Sequence, residues 1–315
     1  METLFSPTIL FFVLGALAVL VRSDLSIPDV VGKALALYLM ASIGLKGGVQ
    51  VSQSGFTTEL ALAGVAGVAL SFLLPLPAFW VLRRLGKLDP LNAGSVAAHY
   101  GSVSVVTFVT GVETLGAHGL PPAGYMVAVL ALMETPAILT GLWLVRKSAS
   151  TDSASPKGHL REALTNGSVL LMVGSFAIGL IAGPKGFTPI QPVFEGAFRG
   201  ILCLFLLDMG LVAARFLHKT KSLTPPLAGL AIALALVNGT IGVLVGTLIG
   251  LDTGSVAALG ILAGSASYIA VPAAIRLALP DADIGLPLAM SLGITFPFNI
   301  LLGIPLFKDM AQALA

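Results

Sequence analysis

From Ser222 to Leu251 the chain carries no Asp, Glu, Lys or Arg, and the same holds from Leu91 to Val112 and from Thr253 to Ile275. About 20 predominantly apolar residues cross a bilayer as a helix. Uncharged runs of this length therefore predict a chain that folds within a membrane. Composition agrees. Only 10% of the 315 residues are charged, where soluble domains have about a quarter. So few charges cannot wet the surface of a globule this large. A cytosolic enzyme, a nucleic-acid-binding protein and a disordered chain are excluded.

Ten apolar stretches bounded by charges or turn residues are expected as spans. They lie near 6–21, 29–47, 58–82, 89–115, 122–145, 163–183, 193–214, 225–250, 252–279 and 285–307. A polar linker, 146–162, separates a first five-helix unit, 1–145, from a second, 163–315. No Lys or Arg precedes the first stretch, so no cleaved signal peptide is expected. With ten spans, one side holds Lys46, Lys185, Arg199 and Lys308, and the other holds the remaining 13 basic residues. The positive-inside rule then places both termini outside and the linker in the cytoplasm, in a plasma or inner membrane. Trp80 and Trp143 each precede a basic pair, Arg83-Arg84 and Arg146-Lys147, as in an interfacial aromatic belt.

The two halves echo each other. Leu88-Asp89 and Leu251-Asp252 open the fourth and ninth stretches. Gly94-Ser95-Val96-Ala97-Ala98 recurs as Gly254-Ser255-Val256-Ala257-Ala258, and Gly101-Ser102-Val103-Ser104 as Gly264-Ser265-Ala266-Ser267. Ile43-Gly44-Leu45 matches Met209-Gly210-Leu211. Five spans per half is an odd number, so the halves must be inverted. The predicted fold is an all-α polytopic membrane protein, ten transmembrane helices in a 5+5 inverted-topology repeat, the plan of many secondary transporters.

The fourth and ninth stretches are long and carry a Gly-Ser-x-Ser cluster at mid-depth, which predicts two broken helices. Each second half-helix would present its N-terminus, with free N–H groups and a partial positive charge, near the midplane. That arrangement binds an anion without a basic side chain, at Gly101, Ser102, Val103, Ser104, Gly264, Ser265, Ala266 and Ser267. Carbonyls at the ends of the first half-helices suit a hard cation such as Na⁺. Intramembrane ionisable residues are costly and point to function. Glu134 in mid-span five is expected to take part in ion coupling, with Thr295 and Asn299 as neutral oxygen ligands and Thr107 as a further one. Asp208 suits a structural or an ion role equally. Glu113 and Arg276 occupy equivalent repeat positions, but inversion puts them on opposite sides and argues against a pair. His99 precedes the first break and reads more readily as a hydrogen-bonded core residue than as a site residue. His118, His159 and His218 are expected in loops. The lone Cys203 allows no intrachain disulfide and no metal site. No pattern of a nucleophile or catalytic metal appears, so no catalytic residue is expected, and no cofactor apart from Na⁺ as coupling ion.

The run Ser265-Ala266-Ser267-Tyr268-Ile269-Ala270-Val271-Pro272, with Ser291-Leu292-Gly293-Ile294-Thr295-Phe296-Pro297-Phe298-Asn299 and Ile43-Gly44-Leu45-Lys46-Gly47-Gly48, resembles the sodium-dependent bicarbonate permease family of SbtA type. The resemblance covers essentially the whole chain. It implies a gate domain (spans 1, 2, 6 and 7) and a core domain (spans 3–5 and 8–10). It implies Na⁺-coupled uptake of bicarbonate or a similar small anion by an elevator movement in a homotrimer, the two broken helices crossing in the core. It also suggests a PII-like cytoplasmic regulator as partner. The chain departs from the family pattern at His99-Tyr100 and in having Glu134 where Asp is usual. A Na⁺/H⁺ antiporter or an organic-anion carrier on the same plan is the alternative within transport. A non-transporting membrane scaffold that holds a cytoplasmic regulator is the alternative outside it.

Overall fold

A computed structural model describes residues 7–55, 57–149, 167–220, 222–279 and 281–315. All regular structure among them is helical. The first half contains α1 (Pro7–Leu20), α2 (Asp29–Ser54), α3 (Thr58–Leu73), α4 (Pro75–Arg84), α5 (Pro90–Gly101), α6 (Val105–Ala117), α7 (Met126–Glu134) and α8 (Pro136–Ala149). The second contains α9 (Gly167–Phe187), α10 (Phe198–Lys219), α11 (Pro225–Leu248), α12 (Thr253–Ala263), α13 (Ala270–Ala278) and a long final helix, α14 (Gly285–Leu314). Among the described residues eight helical segments are long and apolar enough to cross a membrane, and α1 and α12 are shorter apolar helices. The chain is a multi-pass membrane protein. Most of the expected linker, from residue 150 on, lies outside the described residues, as does His159.

Several boundaries differ from the sequence reading. The last helix runs on to Leu314, because Ile304, Phe307 and Ala311 continue its buried face at helical spacing past the charged Lys308. Pro121 and Pro122 hold the chain out of helix until Met126. The segment before Phe198 forms a separate π turn, Pro192–Gly196. His218 lies in the last turn of α10 rather than in a loop.

Several helix pairs meet at backbone distance, α1–α10 and α2–α9 most closely. A Cβ on Gly15 of α1 would overlap the Leu207 carbonyl of α10, and one on Gly210 would overlap the Phe12 carbonyl of α1. In the same way Gly48 of α2 faces the Phe176 carbonyl of α9, and Gly179 faces that of Leu45. Small residues let membrane helices approach this closely and gain contact energy that lipid tails do not supply. At one edge the Arg84 guanidinium lies 5.2 Å from the Trp80 ring centre and the Lys147 ammonium 4.8 Å from that of Trp143. The expected Trp-basic pairs are thus in contact.

Candidate ion-binding site at two crossing helix breaks

Each broken helix starts on an aspartate cap. Asp89 accepts from the N–H groups of Leu91 (2.9 Å) and Asn92 (3.1 Å), and Asp252 from that of Ser255 (2.9 Å). Partial burial of Asp89 opposes its ionisation. The hydrogen bonds from the Asn92 side chain and the two backbone groups outweigh it and hold the carboxyl below its usual 3.8. The Asp pair, the Gly101/Gly264 pair and the Ser104/Ser267 pair share one offset in sequence. The Gly94–Ala98 match to Gly254–Ala258 is three residues out of register with them. The serines there accordingly differ: Ser255 Oγ accepts from Ala123 N–H, while Ser95 Oγ is buried without a partner among the described residues.

The first break is Ser102, Val103 and Ser104. Gly101 ends α5 where a Cβ would strike the Pro75 ring. The chain turns extended at Ser102, and Ser104 caps α6 by accepting from Thr107 N–H at 3.1 Å. The second break is longer, Gly264 to Ile269. Gly264 lies 2.9 Å from the Ala235 carbonyl by its would-be Cβ. Ser267 Oγ accepts from Val271 N–H at 3.4 Å, a weaker cap than that of Ser104.

The breaks touch. Ser104 N–H donates to Ser265 Oγ at 2.9 Å, and Ser267 N–H to the His99 carbonyl at 2.9 Å. Ser265 Oγ in turn donates to the Leu262 carbonyl at 2.7 Å. Two of the expected anion donors, the N–H groups of Ser104 and Ser267, are therefore spent on the crossing itself, and others bond within their own helices. Ser102 N–H bonds Ala98, its hydroxyl bonds the Glu134 carbonyl, and Ser265 N–H bonds Leu262. The remaining donors lie one step away. The N–H groups of Val103, Val105 and Val106 at the first break, and of Ala266 and Tyr268 at the second, make no hydrogen bond among the described residues. All five residues are buried. Buried N–H groups are almost always paired, so this cluster is built to receive an acceptor. Val105, Val106 and Tyr268 were not among the expected residues. The first two are readable in principle, because a capped helix leaves its N1 and N2 donors free.

The expected cation ligands approach the breaks from both halves. Pro136 interrupts the helix after Glu134 and frees carbonyls there. Ser71 Oγ donates to that of Met133 at 2.6 Å and Ser102 Oγ to that of Glu134 at 2.9 Å. The Glu134 side chain is buried, and its Oε2 has no partner among the described residues. In the other half, α14 widens into π-helix at Ala289–Thr295 and Asn299–Gly303, around Pro297. Such bulges frequently mark functional sites. Asn299 Nδ2 donates to the Gly264 carbonyl at 2.9 Å, which leaves its buried Oδ1 without a donor. Thr295 Oγ1 is occupied differently. It donates to the Ala231 carbonyl (3.2 Å) and accepts from the Tyr100 hydroxyl (2.6 Å). Thr107 is buried beside Ser104. No hydrogen bond joins Glu134 to Thr295 or Asn299 among the described residues. A buried oxygen without a donor is able to ligate a hard cation. Among the described residues no group of three His, Cys, Asp or Glu could hold a metal ion.

The family described as the Na⁺-dependent bicarbonate transporter superfamily matches residues 7–312. The chain belongs to this superfamily. Among curated proteins no match is found. Superfamily membership is that of a transporter rather than an enzyme, and it names an anion and a cation. The free N–H groups suit the first and the donorless oxygens of Glu134 and Asn299 suit the second.

The remaining singled-out residues lie apart from the crossing. Asp208 of α10 packs on Gly32 of α2, with Asp29 and Arg215 as its charged neighbours. Glu113 pairs with Arg199, not with Arg276. The Arg276 side chain lies outside the described residues. Lys46 pairs with Glu195 at 3.2 Å. Burial acts against ionisation of Glu195, yet its bonds to Gln191 and Lys46 hold the carboxyl below 4.5. A cleft of about 180 Å³ opens beside these pairs, between Lys46 and Gln50 of α2, Glu113 of α6 and Arg199 of α10.

Proposed function

We propose that the chain is a Na⁺-coupled symporter of bicarbonate. One observation carries the reading: unpaired buried N–H groups from two crossing helix breaks, flanked by the donorless oxygens Glu134 Oε2 and Asn299 Oδ1. The anion occupies the N–H cluster around Val103 and Ala266. Na⁺ takes Glu134 and Asn299, with Thr107 and Thr295 at its edge. Opposite charges held side by side raise each other's affinity, and the coupling is reciprocal. The break residues Ser102, Val103, Ser104, Ser265, Ala266 and Ser267 are each exposed by 3% or less. That confinement favours a small anion over an organic one.

The architecture is a 5+5 inverted repeat, with residues 1–145 and 163–315 as its halves. Support comes from related packing: α1 lies on α10 as α2 lies on α9, and Gly210 and Gly44 both meet backbone of the partner. α1, α2, α9 and α10 form the gate, and the other helices form the core. The ion pairs Glu113–Arg199 and Lys46–Glu195 join residues that the charge count places outside. Both termini then face outward and the central linker faces the cytoplasm. Transport proceeds by an elevator movement of the core along the gate. The family resemblance adds a trimer and a PII-like regulator on the cytoplasmic side.

Uptake of labelled bicarbonate into proteoliposomes tests the symport. Uptake should rise with an inward Na⁺ gradient, and equal uptake without one would sink the claim.

A further inference from the structure

The proposed ions leave buried polar groups near the crossing unexplained, and among them His99 carries a ring acceptor. His99 is fully buried two residues before the end of α5, and its Nε2 has no hydrogen-bond partner among the described residues. Its Nδ1 lies 2.8 Å from the Ser95 carbonyl oxygen. A carbonyl only accepts, so Nδ1 carries the hydrogen and Nε2 of the neutral ring is a bare lone pair. The His99 carbonyl accepts from Ser267 N–H at 2.9 Å, which holds this residue against the second break.

A bare acceptor is out of place beside an anion unless the anion brings a hydrogen. Bicarbonate does. It has one hydroxyl among its three oxygens, and that O–H must donate once the ion is desolvated. The unpaired backbone groups at the crossing, from Val103, Val105, Val106, Ala266 and Tyr268, can only donate. The Tyr268 hydroxyl is turned toward Ser104 and completes no hydrogen bond. We propose that His99 Nε2 accepts the O–H of bicarbonate and so selects a hydrogen-bearing oxyanion. The inference rests on the bicarbonate reading above and deepens it. Nitrate is the natural counter-probe. It is planar, singly charged and has three oxygens but no hydrogen, so it sets a lone pair against a lone pair. A site built to pair a substrate hydroxyl discriminates strongly against the analogue that lacks it.

The test compares the full-length protein with His99→Gln and His99→Phe in proteoliposomes under a Na⁺ gradient. Gln keeps an acceptor oxygen near the position of Nε2, and Phe keeps the ring shape without an acceptor. Bicarbonate KM and the inhibition constant of nitrate are measured for each. In the wild type nitrate should bind at least about tenfold more weakly than bicarbonate. His99→Phe should raise the bicarbonate KM about tenfold and leave nitrate unchanged, so that the preference collapses. His99→Gln should retain most of it. An unmoved preference in His99→Phe overturns the proposal, with water then serving the free nitrogen. A wild type that takes up no bicarbonate under a Na⁺ gradient overturns the symport reading and this inference together. If His99→Phe does not fold, ¹⁵N resonances of histidine-labelled protein decide. The Nε2 signal, assigned by its loss in His99→Gln, should move with bicarbonate and not with nitrate. An equal response to both, or none, overturns the proposal.

Discussion

The backbone N–H of Ser104 donates to the hydroxyl of Ser265 at 2.9 Å, across 161 positions of sequence. Each helix break thus completes the other. Ser265→Ala removes the acceptor and leaves a buried N–H unpaired, a loss of about 1–3 kcal/mol. The melting temperature should fall accordingly, and bicarbonate uptake should fall with it. Thermal unfolding of the purified protein in detergent measures the first effect. An unchanged melting temperature would mean that the crossing is held by other contacts.

Glu134 Oε2 is a buried acceptor without a donor. Glu134→Gln removes the charge and keeps the shape. The Na⁺ concentration for half-maximal uptake should rise about 10–100-fold, the value of a charged ligand contact. Glu134→Asp, which keeps the charge on a shorter arm, should fall between. A Na⁺ titration of uptake checks this, and an unchanged Na⁺ dependence would remove Glu134 from the cation site.

If anion and cation bind side by side, each should stabilise the fold more when the other is present. Na⁺ at 100 times its Kd adds about 2.7 kcal/mol. Melting temperatures with Na⁺ alone, bicarbonate alone and both should be more than additive, with K⁺ replacing Na⁺ as the control. Strict additivity contradicts reciprocal coupling.

Glu113 of α6 and Arg199 of α10 bridge the proposed core and gate. The Arg199 side chain is 73% exposed, so Arg199→Ala should change stability by under about 1 kcal/mol. Its effect belongs to movement. In a Cys203→Ser background, Glu113→Cys with Arg199→Cys should be joined by a bis-methanethiosulfonate cross-linker that spans the lost side chains and stops uptake, and reductant should restore it. Full uptake by the cross-linked protein would exclude relative motion at this contact.

Asp89→Ala deletes the cap of α5 and should cost about 1 kcal/mol. The carboxyl is held below 3.8, so its contribution is complete above that value and is lost only as pH falls through the lowered one. The stability difference between wild type and Asp89→Ala should therefore be equal at pH 5 and pH 8. A difference that shrinks at pH 5 would show that the carboxylate is not what caps the helix.

Both breaks were legible because the glycine and the capping serine that mark each one lie within three residues of each other. Gly101 and Gly264 sit where packing excludes a Cβ, and serine supplies the helix cap. Pairings across long sequence distances left no such trace. Nothing local says that Ser265 spends its hydroxyl on Ser104, that Thr295 is taken by Tyr100, or that Glu113 meets Arg199. The donors that remain free could be assigned only after those pairs were known. The π segments of α14 were missed because Pro297 predicts a lost hydrogen bond but not how the neighbouring carbonyls re-pair. The Gly94–Ala98 repeat misled by three residues because Gly, Ala and Ser recur freely wherever helices pack closely.

The four glycines Gly15, Gly48, Gly179 and Gly210 also decide where the molecule can yield. Two helices in backbone contact have one register. Sliding by a residue would drive a side chain into a carbonyl, so the α1–α10 and α2–α9 pairs behave as welds. Opposite them Phe12 of α1 meets Phe296 of α14 edge-on at 5.4 Å, and Phe296 meets Tyr268 at 5.6 Å. Aromatic rings can roll over one another between several seats of similar energy. In the proposed elevator movement the α1–α10 and α2–α9 pairs would therefore stay fixed units, and the edge-on contact of Phe12 with Phe296 is among those that would have to shift.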